Sequence, residues 1–568
     1  MTVDISPAAQ LRAALHALGE GVESVAFELP SPAREARRRE QQHLLWSISE
    51  YLLPRLGDLG APAVAVVLGS TGSGKSTLVN SLAQAAVSLP GPVRPTTRHP
   101  VVWAHESQAG RYSGEGFLSG YGPGSDHRLE VRPSTDRLLE GVTVIDSPDF
   151  DSVVEENRDM ADDLLAIADL CIFVTSAQRY ADAVPWEFLE RAKRRSLPIV
   201  FVVNRIPTAD RTVILDDYRR RLAGAGLEGW AELVAITEQS VDGGHGGLPA
   251  SEVAGLRTRL ETLARPGTRA ELVREAVRGG VQDVVVRAEA LAGSIEDEAG
   301  EGAGLAQVAE SAYRAQMSEL GRLLEDGTLI RGEVVARWQN FVGTGQLLQA
   351  LAEGTSRVRS WLRRVFGGEP QVEQVEREAR SELVDAVVRR TDLAATTAAG
   401  AWELDDAGAA LLAESGGALW RHAPETPGRA QRAVEDWLGY LSQLIEEEGG
   451  GRKRFAQVAS YGVNAAAVAV LLGVFVHTGG LTGAELGVTA SAAAAQQKVL
   501  EHIFGSAAAR TLIIKARERL DQALNSVLHM DGARFYELSS ARSADREDAG
   551  RIRDLARGVE LEAGAFDG

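Results

Sequence analysis

The chain has 568 residues, 44% of them hydrophobic and 24% charged, enough apolar material for about two to four domains with sizeable cores. A formal net charge of −19 argues against a nucleic-acid binder that relies on general positive charge, so no nucleic-acid partner is expected. The single cysteine, Cys171, rules out an internal disulfide framework and a cysteine-built metal site, and its setting in Leu170-Cys171-Ile172-Phe173-Val174 gives it a packing role.

Residues 1–10 lack a basic start followed by an apolar core, so a cytoplasmic location is expected. Residues 6–59 carry apolar side chains at helical spacing, with a basic cluster at 34–39. These N-terminal helices, residues 1–59, are expected to pack on a helical region later in the chain. Pro62 breaks the pattern, and residues 63–68 form an uncharged apolar run that ends at Gly69. A short run of this kind, bounded by glycine and followed by a helical pattern, predicts a buried parallel strand. Similar runs recur at 142–145, 170–174 and 199–203, with helical stretches at 161–167 and 186–194 between them. A further candidate strand at 232–236 and a helix at 251–263 complete an α/β unit over residues 60–266 with a mostly parallel, doubly wound sheet. From Gly267 the strand signal ends. Ala/Leu/Glu/Arg-rich stretches, broken at residues 367–370 and 449–451, predict a long all-α bundle or stalk over 267–568.

The most specific feature is Gly69-Ser70-Thr71-Gly72-Ser73-Gly74-Lys75-Ser76, followed by Thr77. A strand, then Gly-x-x-x-x-Gly-Lys-Ser, then a helix makes a phosphate-binding loop: the glycines let backbone N–H groups turn inward onto the phosphates. Lys75 is then expected at the β- and γ-phosphates and the Ser76 hydroxyl on Mg²⁺. Asp146, in Ile145-Asp146-Ser147-Pro148-Asp149 at the end of the next core strand, is the acidic residue expected to hold Mg²⁺ beside that serine. Between them, Arg94-Pro95-Thr96-Thr97-Arg98 offers a threonine to ligate the metal and sense the γ-phosphate. Thr97 is the first choice for that role and Thr96 the second. Lys75 and Thr97 are the expected catalytic residues, Thr97 by positioning the attacking water. Ser76, Thr97 and Asp146 form the expected metal set. No side chain in the sequence stands out as a general base, which suits catalysis by positioning and electrostatics.

Gly74-Lys75-Ser76-Thr77-Leu78-Val79-Asn80, Pro95-Thr96-Thr97-Arg98 and Asp146-Ser147-Pro148 resemble the translation-factor-like class of P-loop GTPases. Helices before this domain and a long helical region after it resemble the dynamin-like large GTPases within that class. The segments 146–152, 337–345 and 480–487 are similar to the actinobacterial membrane-associated type. The resemblance implies a Mg²⁺-dependent GTPase that is slow or stimulated by assembly. It also implies contact with membrane lipid, and a homo-oligomer or pairing with a related GTPase. Asn204 and Arg205 fall on the base-reading motif. Three positions depart from the pattern. Asp149 stands where a glycine contacts the γ-phosphate, Pro207 stands where an aspartate reads guanine, and Thr71 and Gly72 replace residues that aid hydrolysis. GTP is the expected ligand by likeness, with ATP left open by Pro207. A transporter-type ATPase is not expected, because residues 76–146 carry no Leu-Ser-Gly-Gly-Gln-like signature and no catalytic glutamate follows Asp146.

Residues 455–484 contain no Asp, Glu, Lys or Arg, and Arg452-Lys453-Arg454 precedes them directly. Crossing a bilayer takes about 20 apolar residues, so an apolar hairpin at about 455–497 has two readings: it dips into a membrane behind its basic flank, or it is buried in the helical bundle. A basic amphipathic stretch at 357–366 has the same two readings, a membrane surface or a neighbouring helix. Together these features predict a dynamin-like GTPase that couples nucleotide state to membrane association or remodelling. The alternatives are a soluble nucleotide-dependent switch acting on a protein partner, and an ATPase of the same superfamily.

Overall fold

A computed structural model describes residues 6–88, 99–112, 129–148, 155–180, 189, 192–193, 195–227, 231–239, 245–326, 328–330, 369–449, 470, 474 and 506–567. The chain divides into two compact units. One takes in Met1–Phe27, Glu35–Asp297 and Ala544–Gly568; the other takes in Glu28–Arg34 and Glu298–Ser543.

The first unit is built on a sheet that has seven strands among the described residues, in the order β3-β2-β4-β1-β5-β6-β7. The strands are β1 (Ala63–Gly69), β2 (Val101–His105), β3 (Glu130–Ser134), β4 (Val142–Asp146), β5 (Leu170–Ser176), β6 (Ile199–Ile206) and β7 (Ala231–Thr237). All five strands expected from the apolar runs are present, and β4, β1, β5, β6 and β7 run parallel. Their continuous apolar character follows from burial on both faces; every residue of β1, β4 and β5 is buried. Two strands were not legible. β2 is only five residues long and pairs antiparallel with β4. β3 lies at the sheet edge and is largely exposed, and it holds Pro133, which an edge tolerates because no neighbour needs its missing N–H.

The N-terminal helices belong to this first unit, so the division expected at residues 59 and 266 differs from the structural one. Helix α1 (Pro7–Glu23) packs against the last helix, Arg546–Asp567. Helix α2 (Arg34–Trp46), a π-helical turn at Ser47–Leu52 and the short helix α3 (Leu53–Gly57) share the core of the sheet. The reason is polar as well as apolar. Asp169, fully buried just before β5, accepts hydrogen bonds from the Tyr51 hydroxyl (2.8 Å), the Val64 amide (2.8 Å) and the Arg55 guanidinium. Arg195 lies over the Tyr51 ring at 4.8 Å. A buried charge needs such partners, and here the N-terminal segment supplies two of them. Helices α4 (Lys75–Ala83), α5 (Glu155–Ala166), α6 (Arg211–Gly224) and α7 (Ala250–Leu263) accompany the strands. Helix α8 (Pro266–Glu325) begins in this unit and continues into the other.

The second unit is helical among the described residues, as the loss of strand signal beyond Gly267 predicts. It holds the later part of α8 with α9 (Glu369–Trp402), α10 (Asp406–Glu414), α11 (Thr426–Gly449) and α12 (Ser506–Ala541). Trp402 and Trp437 are buried and donate their indole N–H groups to the carbonyls of Leu305 (2.9 Å) and Ala516 (2.7 Å). Buried Asp531 gathers the Tyr313 hydroxyl (2.6 Å), the Ala423 amide (2.7 Å), the Thr426 hydroxyl and Arg534. The last helix, α13 (Arg546–Asp567), returns to the first unit.

Most of the apolar segment at 455–497, all of the basic stretch at 357–366 and the motifs at 337–345 and 480–487 lie outside the described residues. Val470 and Val474 are described, and both are buried in the core of the second unit. Among the described residues no helix is long and apolar enough to cross a membrane.

Candidate functional site

The loop between β1 and α4 forms the expected cradle. Gly69 closes β1, and α4 starts at Lys75 with Gly74 as its N-cap in the left-handed region (φ 99°); Gly72 is also left-handed (φ 74°). These two glycines supply the reversals that let amides face one centre. Gly69 is constrained by space as well, since a Cβ there would lie 2.3 Å from the Val174 carbonyl oxygen on β5. Lys75 is buried, and its Nζ donates to the Gly69 carbonyl at 2.8 Å, so the ammonium folds back over the loop. Ser70 and Ser73 are buried, and Ser76 and Thr77 follow in the first turn of α4.

Asp146 ends β4, and its strand pairs directly with β1 through Val67↔Asp146. It is fully buried, and its Oδ2 accepts from the Ser88 hydroxyl at 2.7 Å. Asn80 shapes that approach: its Oδ1 accepts from the amides of Val87 (2.9 Å) and Ser88 (2.8 Å), and its Nδ2 donates to the Ser88 carbonyl. Ser147 donates to the Val67 carbonyl at 2.7 Å and ties β4 to β1 beside the loop. Asn204, near the end of β6, donates its Nδ2 to the Ser73 carbonyl at 3.1 Å, bringing the base-side motif onto the phosphate loop. Arg205 follows with φ 55°, exposed, at a break in β6–β7 register between Val203 and Ile206. Pro207 precedes a short 3₁₀ turn, Thr208–Asp210, and the Glu238 amide donates to the Ile206 carbonyl, closing the base-side loops on each other. Thr96, Thr97 and Asp149 lie outside the described residues.

Residues 64–205 match the family model of the 50S ribosome-binding GTPase. This part of the chain is a P-loop GTPase domain. No curated protein matches the chain. Two solved structures of an oligomerised bacterial dynamin pair, described as providing a mechanism for the long-range sensing and tethering of membranes, are similar to it. One is 13% identical over 96% of this chain and 94% of its own, the other 12% identical over 98% and 96%, each with a TM-score of 0.35. That is the group the sequence resembles. At that score the likeness carries no functional inference.

Within the GTPase domain the sequence missed three contributors. Ser88 and Asn80 build the approach to Asp146, and Arg179, after β5, donates to the Thr71 carbonyl at 2.9 Å. None belongs to a fixed-spacing motif except Asn80, which closes the run from Gly74. The donor set of a hydroxyl on α4 and a carboxylate at the end of β4 suits a hard cation such as Mg²⁺, which takes oxygen ligands. No group of three or more His, Cys, Asp or Glu gathers among the described residues. A metal held by one or two protein oxygens and by substrate phosphates needs no such group.

Proposed function

We propose that this protein is a Mg²⁺-dependent, GTP-binding and GTP-hydrolysing dynamin-like protein that couples nucleotide state to membrane association. The observation that carries the nucleotide reading is the Asn204–Ser73 bond. It holds the base-side motif against a phosphate loop whose Lys75 is already folded inward. Gly69 to Thr77 would cradle the phosphates, Lys75 would neutralise their charge, and Ser76, Asp146 and Thr97 would ligate the metal. Mg²⁺, when bound, would supply neutralisation of the phosphate charge. Thr97 would position water, and Asn204 and Arg205 would face the base. The membrane part rests on the sequence: the basic flank at 452–454, the uncharged stretch at 455–484 and the long helical region. Assembly as a homo-oligomer, or pairing with a related GTPase, belongs to the same reading.

A second reading is favoured by one observation. Val470 and Val474 are buried in the helical core, as a soluble switch acting on a protein partner would have them. Co-sedimentation with anionic vesicles, with a GTP analogue, GDP or no nucleotide, separates the two. Nucleotide-sensitive pelleting that is lost in a folded Leu471→Ser, Leu472→Ser, Phe475→Ser variant supports membrane coupling. Absence of pelleting in every state supports the switch.

A further inference from the structure

We infer that Ser88 is a positioning residue for the metal carboxylate: its hydroxyl sets the orientation of Asp146 and, through it, the hold on Mg²⁺, an inference that rests on the metal-dependent GTPase reading above. The Ser88 hydroxyl donates to Asp146 Oδ2 at 2.7 Å, and both residues are buried, Asp146 completely. Both backbone polar groups of Ser88 are bound by one side chain. Its amide donates to Asn80 Oδ1 at 2.8 Å, and its carbonyl accepts from Asn80 Nδ2 at 2.8 Å. The same Oδ1 also takes the Val87 amide at 2.9 Å. Asn80 is fully buried and lies one helical turn after Ser76, on the same face of α4. The helix that carries the expected metal hydroxyl therefore also carries the clamp that sets Ser88 on the expected metal carboxylate.

The chemistry gives this contact a purpose. The outer torsion of an aspartate is broad and soft, so the plane of its carboxylate is set by the groups that bond its oxygens. Mg²⁺ takes a near-ideal octahedron of oxygens at about 2.0–2.1 Å, and a tilted carboxylate, binding directly or through water, misses that geometry. Partners that orient a metal-binding carboxylate accordingly change affinity by about 10–100-fold, although they never touch the ion. A serine suits the task. Being neutral, it holds the carboxylate without cancelling the charge that attracts a cation, and a hydroxyl bond to an ionised oxygen is among the stronger hydrogen bonds. The backbone beneath is fixed too. Ser147, the next residue, donates to the Val67 carbonyl at 2.7 Å, so the strand end that bears Asp146 is tied down while Ser88 orients its side chain.

The test reads the metal apart from turnover. Full-length wild type, Ser88→Ala and Ser88→Thr are titrated with a fluorescent, non-hydrolysable GTP analogue at saturating Mg²⁺ and in excess chelator, and the ratio of the two affinities is taken. Ser88→Ala should lower that ratio at least about tenfold, with the affinity in chelator kept. Ser88→Thr, which keeps the hydroxyl, should retain the wild-type ratio. An unchanged ratio in Ser88→Ala, or weakening that is equal with and without Mg²⁺, would overturn the inference. A ratio in Ser88→Thr as low as that of Ser88→Ala would overturn it as well. Wild type that binds no guanine nucleotide, or binds it without regard to Mg²⁺, would remove the metal-dependent GTPase reading and this inference with it. Wild type that responds to Mg²⁺ beside an equally responsive Ser88→Ala would remove the inference alone.

Discussion

Asn204 Nδ2 lies 3.1 Å from the Ser73 carbonyl oxygen, and the same nitrogen would lie 2.3 Å from a Cβ placed on Gly74. The base-side strand and the phosphate loop therefore fit each other only with glycine at 74, where φ is 99°. Gly74→Ala combines a close approach with a left-handed backbone, and a residue forced into that region costs about 1–3 kcal/mol. A lowered urea midpoint and at least tenfold weaker binding of a fluorescent guanine nucleotide are expected. Wild-type values for both would show that the contact is not maintained.

Lys75→Ala should abolish binding of the triphosphate, because the buried ammonium is folded over the loop, with its Nζ on the Gly69 carbonyl. Its folded-state partners are the carbonyls of Gly69 and Ser70. Their loss should leave the circular-dichroism spectrum unchanged. Calorimetric titration with GTP and Mg²⁺ checks the first expectation, and retained heat of binding would contradict it.

The attachment of the N-terminal helices to the sheet rests on Asp169. Removing one partner from a buried ion pair leaves an uncompensated charge and costs about 3–5 kcal/mol. Arg55→Ala is therefore expected to destabilise by that order. Tyr51→Phe should cost less, about 1.5–3 kcal/mol for one hydrogen bond to a charged group. Chemical denaturation followed by intrinsic fluorescence measures both, and a neutral Arg55→Ala would contradict the pairing.

The last helix gives a pH dependence. Arg553 binds Glu296 through two bonds (2.6 and 3.0 Å) and Glu289 through one (2.8 Å). The hydrogen bonds from Arg553 hold the Glu296 carboxyl below its ordinary value of 4.5. A carboxyl whose folded-state pKa is depressed contributes stability above the unfolded value and loses it as pH falls through the folded one. Glu296→Gln should accordingly lower stability above about pH 4.5, where the ionised carboxylate contributes, and flatten the loss of stability below it. A pH series of melting temperatures reads this directly, and an unaltered acid limb would contradict it.

Cys171 offers a probe of integrity. Burial in β5 pushes its thiol up to about 12, so the reactive thiolate is scarce in the folded state. Labelling by a thiol reagent at pH 8 should track unfolding. Rapid stoichiometric labelling of native protein would show that β5 is not packed as described.

Much of this was legible in the sequence because its physics is local. Residues 63–69 alternate nothing and bury everything, which marks a central parallel strand, and Gly69 to Ser76 states its own turn chemistry. The unread parts depend on distant partners. β3 is an exposed edge with no periodic signal, and α2 and α3 look like generic helices until Asp169 collects Tyr51 and Arg55 from more than 100 residues away in sequence. Arg179 has no motif at all; only the fold brings it to Thr71.

The measurement that bears most directly on the central claim is calorimetric titration of the wild-type protein with GTP, GDP and ATP in the presence and absence of Mg²⁺. Saturable GTP binding that is strengthened by Mg²⁺ and at least about tenfold tighter than ATP binding is expected. ATP binding equal to or tighter than GTP, or no binding of any nucleotide, would contradict the GTPase reading at Pro207 and at the loop from Gly69 to Ser76.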